Sequence, residues 1–246
     1  MLNKTDLLVV VGLGVLTSGL FAADTGIIRG AVNFSGTPPE MAKIRITADP
    51  TCAETRGGEP PRRQDVVVNR NSTLKNVIVY VKSGLPSGKS YGMPAEPAVL
   101  DQRGCMYEPH VFALRAGQDL KILNSDPTIH NIQSKSQVNP KFNEFMTSNK
   151  VPPRIARFPK PELPVPIKCD VHPWMLAWAG VFEHPFFAVT GDDGTYELKG
   201  LPPGEYTVAA WHEKYGAQEQ SMKLGDGEAR DATFTYKDPG GAPTAN

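Results

Sequence analysis

The chain has 246 residues, 26 basic and 26 acidic, so its formal charge is zero. It therefore lacks the cationic surplus that phosphate binding requires, and no nucleic-acid partner is expected. The 23 glycines and 23 prolines puncture any long helix, and three cysteines, an odd number, leave one thiol free or ligated in an oxidising compartment.

Residues 1–22 combine a short charged start, an apolar run from Leu7 to Phe21 and, at the junction, the small residues Ala22 and Ala23. That is the pattern of a cleaved secretory signal, so export to the periplasm or beyond the cell is expected. The run is short for a span of about 20 residues and is interrupted by Gly12, Gly14 and Gly19. No later segment is apolar enough to cross a bilayer, so no stable membrane span is expected after cleavage.

Beyond the signal, periodic segments alternate rather than repeat at helical spacing. TLKNVIVYVK (Thr73 to Lys82), HVFALRAG, DLKILNSD, AWAGVF, GTYELKG and EYTVAAW are short and bounded by turn residues. An all-β sandwich or barrel architecture follows. One helical turn is expected near NPKFNEFM (Asn139 to Met146). The six prolines of Asn149 to Lys168 read as an extended edge or loop that cannot enter a sheet interior. Residues 237–246 have no apolar face and are expected to be disordered.

The chemistry concentrates in CDVHPWM, where Cys169, His172 and Met175 stand at steps of three. Pro173 argues against a helix, so a tight loop between strands would have to curl the three donors around one point. Two imidazoles and a thiolate with a weak axial thioether suit a copper ion that cycles between oxidation states. The second imidazole is available from His130, which follows a strand ending at Asn124-Ser125-Asp126 and precedes Asn131. Zinc on Cys169, His130 and His172 is the rival set, but it leaves the thioether without a purpose. With Cys169 taken by a metal, Cys52 and Cys105 remain as a candidate disulfide, which would stabilise the fold by about 4 kcal/mol.

The isolated His-Asn motif before a Cys-x-x-His-Pro-x-Met loop resembles the cupredoxins, the blue-copper proteins, and the loop is most like the amicyanin type. The resemblance implies one type 1 copper ion on His130, Cys169, His172 and Met175. It gives Asn131 the task of bracing the cysteine loop by a hydrogen bond. It also implies one-electron transfer with redox partner proteins, a dehydrogenase or a c-type cytochrome among them. His172 is expected at the surface beside Pro173 and Trp174, as an apolar docking patch. With only five histidines and no nucleophile elbow or phosphate loop, enzymatic activity is not expected.

From Phe187 to Tyr236 the order is Asp192-Asp193-Gly194, then Tyr196-Glu197-Leu198, then Leu201-Pro202-Pro203-Gly204-Glu205-Tyr206. It resembles the carboxypeptidase regulatory-like module, a small prealbumin-like β-sandwich, and Gly26 to Thr47 is similar to its first strand pair. The resemblances imply that residues 26–60 and 187–236 form this discontinuous module around a cupredoxin-like Greek-key sandwich at 64–184. A calcium site on Asp192 and Asp193 lacks further oxygen ligands. His110, His184 and His212 are expected in structural or surface roles, although Trp211, His212 and Glu213 together would suit a docking edge or a second metal. A non-redox binding or scaffold module of the cell envelope, with a degenerate site, is the alternative function.

Overall fold

The computed structural model describes residues 25–46 and 49–238. The expected signal at 1–22, and the tail beyond residue 238, lie outside the described residues. The described residues are all-β apart from one short helix, α1 (Pro50–Thr55), and their strands make two sandwiches.

In the first sandwich, one sheet is built on β1 (Gly26–Ser35), and the facing sheet contains β2 (Ile78–Ser83). β1 pairs with β13 (Thr195–Leu201) on one side, and with β16 (Ala229–Asp231) and then β17 (Phe234–Lys237) on the other. Gly30 sits at that exchange of partners, where an added Cβ would lie 1.9 Å from the carbonyl oxygen of Ala232. The facing sheet has the order β12 (Phe187–Val189), β2, β14 (Gly204–His212), β15 (Gly216–Leu224). Alternation points Ile28, Val32, Phe34, Phe234 and Tyr236 into a core shared with Val79, Val81 and Val208. The Pro-Pro-Gly corner is tied by Tyr206, whose hydroxyl donates to the carbonyl of Pro202 at 2.6 Å.

The second sandwich faces a sheet of order β5 (Val111–Arg115), β11 (Leu176–Phe182), β10 (Glu162–Lys168), β7 (His130–Ser134), β8 (Asn143–Met146) against another. The other has the order β4 (Met106–Glu108), β3 (Ala98–Arg103), β6 (Asp119–Asn124), β9 (Arg154–Arg157). Leu100, Leu120, Ile122, Ile132, Phe158, Val165 and Ile167 fill the space between them. A smaller cluster of Ile78, Val111 and Phe182, flanked by Trp178 and Trp211, joins the two sandwiches.

Four expectations change. Asn143–Met146 is an edge strand rather than a helical turn, because its ladder with β7 satisfies the backbone. The proline-rich β10 lies inside its sheet, between β11 and β7. It is tolerated there because Val165 and Ile167 carry the ladder to β11, while Pro166 presents its carbonyl to the amide of Lys135 and needs no donor. β2, read with the central unit, instead completes the first sandwich between β12 and β14. Ile46 and Cys52, read with the flanking module, pack in the second core.

Candidate metal centre

Lys168 and Leu176 are cross-strand partners, so Cys169 to Met175 form the seven-residue loop that joins β10 to β11. The loop closes on itself through the amide of Cys169 donating to the carbonyl of Met175 at 3.2 Å and that of Met175 to the carbonyl of His172 at 2.9 Å. Two further amides, of Asn131 and His172, donate to Cys169 Sγ at 3.3 Å each. β7 runs antiparallel to β10 with Lys168 opposite Gln133, which returns the start of β7, His130, to the loop.

The result is a cluster of soft and borderline donors. His130 Nδ1 and His172 Nδ1 are 3.0 Å apart, and Cys169 Sγ lies 3.9 Å from His172 Nδ1. One donor atom from each of His130, Cys169 and His172 lies within 4.8 Å of the others. Met175 is buried in the same core as Cys169. All four residues are 3% exposed or less, which closes the cluster to solvent.

The outward ring nitrogens are also engaged. His130 Nε2 meets Asp126 Oδ2 at 2.8 Å, and His172 Nε2 meets Asp49 Oδ2 at 2.9 Å. With each Nε2–H donated to a carboxylate, both Nδ1 lone pairs face one another and repel unless a proton or a cation lies between them. Metal–nitrogen and metal–sulfur bonds of about 2.0 to 2.3 Å place ligands sharing one ion about 3 to 4 Å apart, so the donor set fits a transition-metal ion. Burial pushes the Cys169 thiol up, but hydrogen bonds with His130, His172 and two backbone amides outweigh it and bring the thiol down to about 6. Burial alone would lower both histidines, yet Asp126 and Cys169 raise His130, and Cys169 and Asp49 raise His172. A metal cation bound there would displace the protons held between the thiolate and the two imidazoles.

Asn131 clasps the loop: its Oδ1 accepts from the amide of Asp170 at 3.2 Å, and its Nδ2 donates to Asn143 Oδ1 at 2.5 Å. Tyr107, fully buried, donates its hydroxyl to the Asn131 carbonyl at 2.5 Å. Cys52 and Cys105 form a disulfide. It lies against the cluster, with Cys52 Sγ 3.6 Å from His172 Nε2.

The surface patch expected around His172 is not there. His172 is 2% exposed because α1 and Asp49 cover its edge. Trp174 is turned inward, its indole donating to the Cys105 carbonyl at 2.9 Å and its ring centred 5.0 Å from that of His172. Only Pro173 of the expected docking pair is exposed. Asp49, Asp126 and Tyr107 were not singled out by sequence. Asp126 carried a faint signal, since it stands four residues before His130.

The remaining histidines lie elsewhere. His110 donates from Nδ1 to the Leu176 carbonyl at 3.0 Å, and its Nε2 contacts Glu213, which also accepts from the Trp178 indole at 2.8 Å. His212 is buried between Tyr215 and Tyr236, and its Nδ1 accepts from the amide of Lys214 at 3.1 Å. His184 Nδ1 accepts from the amide of Phe186 at 3.2 Å. Asp192 pairs with Lys75 at 2.7 Å, and Asp193 accepts from the amide of Thr195 at 3.0 Å, so both serve the turn.

Residues 183–237 match the carboxypeptidase regulatory-like domain family. Their strands β12 to β17 share the two sheets of the first sandwich with β1 and β2. No curated protein matches the chain. Among solved structures, it is similar to a Cu-containing nitrite reductase (NirK) from Thermus scotoductus SA-01, at 18% identity and a TM-score of 0.33, covering 42% of this chain and 26% of that one. The chain thus spans about a quarter of the length of that protein. It is similar to a purple cupredoxin from Nitrosopumilus maritimus, at 20% identity and a TM-score of 0.30, over 34% of this chain and 98% of that one. Amicyanin from Paracoccus versutus is also similar, at 20% identity and a TM-score of 0.31, over 42% of this chain and 96% of that one.

Proposed function

We propose that the chain is an exported one-electron carrier with a single type 1 copper ion on His130, Cys169, His172 and Met175. The observation that carries this reading is the convergence of two imidazole Nδ1 atoms on a buried thiol, with Nδ1 atoms 3.0 Å apart. Bound copper would supply reversible one-electron chemistry, to which a thiolate, two imidazoles and a distant thioether are suited in both oxidation states. The residues contribute rigidity. Amides of Asn131 and His172 hold the sulfur, Asn131 clasps the loop backbone, and Tyr107 anchors Asn131.

Burial favours a carrier over an enzyme. All four donors are 3% exposed or less, so no substrate-sized path reaches them, whereas an electron needs none. The Cys52–Cys105 disulfide supports residence in an oxidising compartment, periplasmic or extracellular. Among the described residues no helix is long and apolar enough to cross a membrane. The partners would be redox proteins, a dehydrogenase or a c-type cytochrome, rather than nucleic acid, given the balanced charge.

The test is anaerobic addition of copper(II) to the purified protein, followed by visible absorption and paramagnetic resonance. An intense thiolate-to-copper band is expected in the parent and its loss in Cys169→Ser. A colourless parent that nevertheless folds would refute the carrier and favour the non-redox envelope module.

A further inference from the structure

Both ligand histidines rest on a carboxylate, and both carboxylates are held by the same disulfide. Asp126, 1% exposed, accepts from the amide of Gly104 at 2.7 Å, from that of Cys105 at 2.8 Å, and from His130 Nε2 at 2.8 Å. Three N–H donors on two oxygens mark it as an acceptor-only, ionised group. Asp49 is the N-cap of α1: Oδ1 accepts from the amides of Thr51 at 2.8 Å and Cys52 at 3.2 Å, which leaves Oδ2 for His172 at 2.9 Å. A run of neighbours therefore leads from Asp49 through the amide of Cys52, the disulfide and the amide of Cys105 to Asp126. At its two ends, Asp49, Cys52 and His172 bring side-chain atoms within 4.8 Å of one another, and so do Cys105, Asp126 and His130.

We propose that Asp49 and Asp126 are positioning residues of the metal centre, a pair of anionic braces on opposite histidines that the Cys52–Cys105 disulfide locks in place. Each brace sets its imidazole with Nε2–H outward and Nδ1 inward, and each places a full negative charge directly behind a ligand ring. The first effect organises the ligands before metal arrives. The second favours the more highly charged oxidation state and so lowers the reduction potential. Carboxylate partners of ligating histidines typically contribute 10- to 100-fold in metal affinity. The inference deepens the proposed function and rests on it for the copper measurements. The brace geometry itself is independent of which metal binds.

The experiment uses the full chain and the variants Asp49→Asn and Asp126→Asn. In histidine-labelled protein without added metal, nuclear magnetic resonance should show two imidazole Nε2–H protons protected from exchange with water. Asp126→Asn should abolish protection at His130 alone, and Asp49→Asn at His172 alone. In copper-loaded protein, each variant should keep the thiolate-to-copper band, bind copper(II) about 10- to 100-fold more weakly, and show a higher reduction potential. Asp126→Asn removes a buried charge with two backbone partners, so if it does not fold, Asp49, whose side chain is 21% exposed, decides the question. Unchanged Nε2–H protection, or affinity and potential equal to the parent, would overturn the inference. A parent without the copper band but with both protected protons would refute the carrier and leave the braces standing.

Discussion

At the scale of single residues, burial and hydrogen bonding decide what each histidine can do. His130 and His172 are raised by carboxylate and thiol neighbours, whereas burial pushes His212 down to about 4 from 6.5. His212 faces Tyr215 and Tyr236, which offer it no anion. Because its folded value lies below its unfolded value, the unfolded chain binds the extra proton. Its stability contribution is complete above pH 6.5 and is lost as pH falls towards about 4, a loss of about 3 kcal/mol at most. Urea denaturation at pH 7 and pH 4.5 should show a smaller acid loss in His212→Gln than in the parent, and an equal loss would contradict this assignment. Glu213 is a second case, since it serves His110 and the Trp178 indole where the sandwiches meet. Glu213→Ala leaves the Trp178 indole N–H and His110 Nε2 without their partner and should cost about 1 to 3 kcal/mol, measured by thermal unfolding, with no change in the visible spectrum of copper-treated protein.

At the scale of elements, the six-residue α1 covers one edge of the candidate centre. A helix so short is not stable in isolation, so its place over His172 depends on the Asp49 cap, the burial of Cys52 and the disulfide. The disulfide spans 53 positions, and its removal in Cys52→Ser with Cys105→Ser should cost about 4 kcal/mol in the chain-entropy model. Loosening α1 also uncovers His172, so transfer of copper(I) to an external chelator should be faster than in the parent. Transfer at the parental rate would show that α1 does not control access. With His172 covered, exposed apolar side chains remain on β8 and beside the two histidines in sequence: Phe145 is 63% exposed, Ile129 38% and Val171 37%. Phe145 is the cross-strand partner of Asn131, whose amide donates to Cys169 Sγ, so this edge has a two-step connection to the thiol. Phe145→Asp should slow electron exchange with a redox partner in stopped-flow measurements without changing the visible band. Equal rates would place docking elsewhere.

At the scale of the whole molecule, the two sandwiches are interleaved along the chain rather than strung in series. β1 and β2 leave the amino-terminal third to complete a module whose remaining strands come after residue 186. Between them, Ile44, Ile46 and Cys52 pack in the second core, and Asp49 meets His172 at the candidate metal centre. The regulatory-like module is therefore a covalent frame for the second sandwich as well as a neighbour. The contact between them is aromatic, with Trp178 and Trp211 centred 5.7 Å apart and Phe182 stacked on Phe187 at 5.0 Å. Aromatic area of this kind, with the Glu213 hydrogen bonds inside it, favours a fixed relation between the two bodies.

The sequence by itself determined the strand content, the turn chemistry of the Pro-Pro-Gly corner, and the loop from Cys169 to Met175, because each is written in residues a few positions apart. His130 with Asn131 was legible because the pair follows a strand ending at Asn124-Ser125-Asp126 and forms the His-Asn motif that the cupredoxin resemblance requires. Tertiary structure alone decided which sheet received β2, why the prolines of β10 are admitted to a sheet interior, and that His172 is covered. It alone brought Asp49 to His172, across 123 positions. Alternation specifies the face of a strand but not the edge it will meet, and a carboxylate far along the chain acquires a partner only when those edges close.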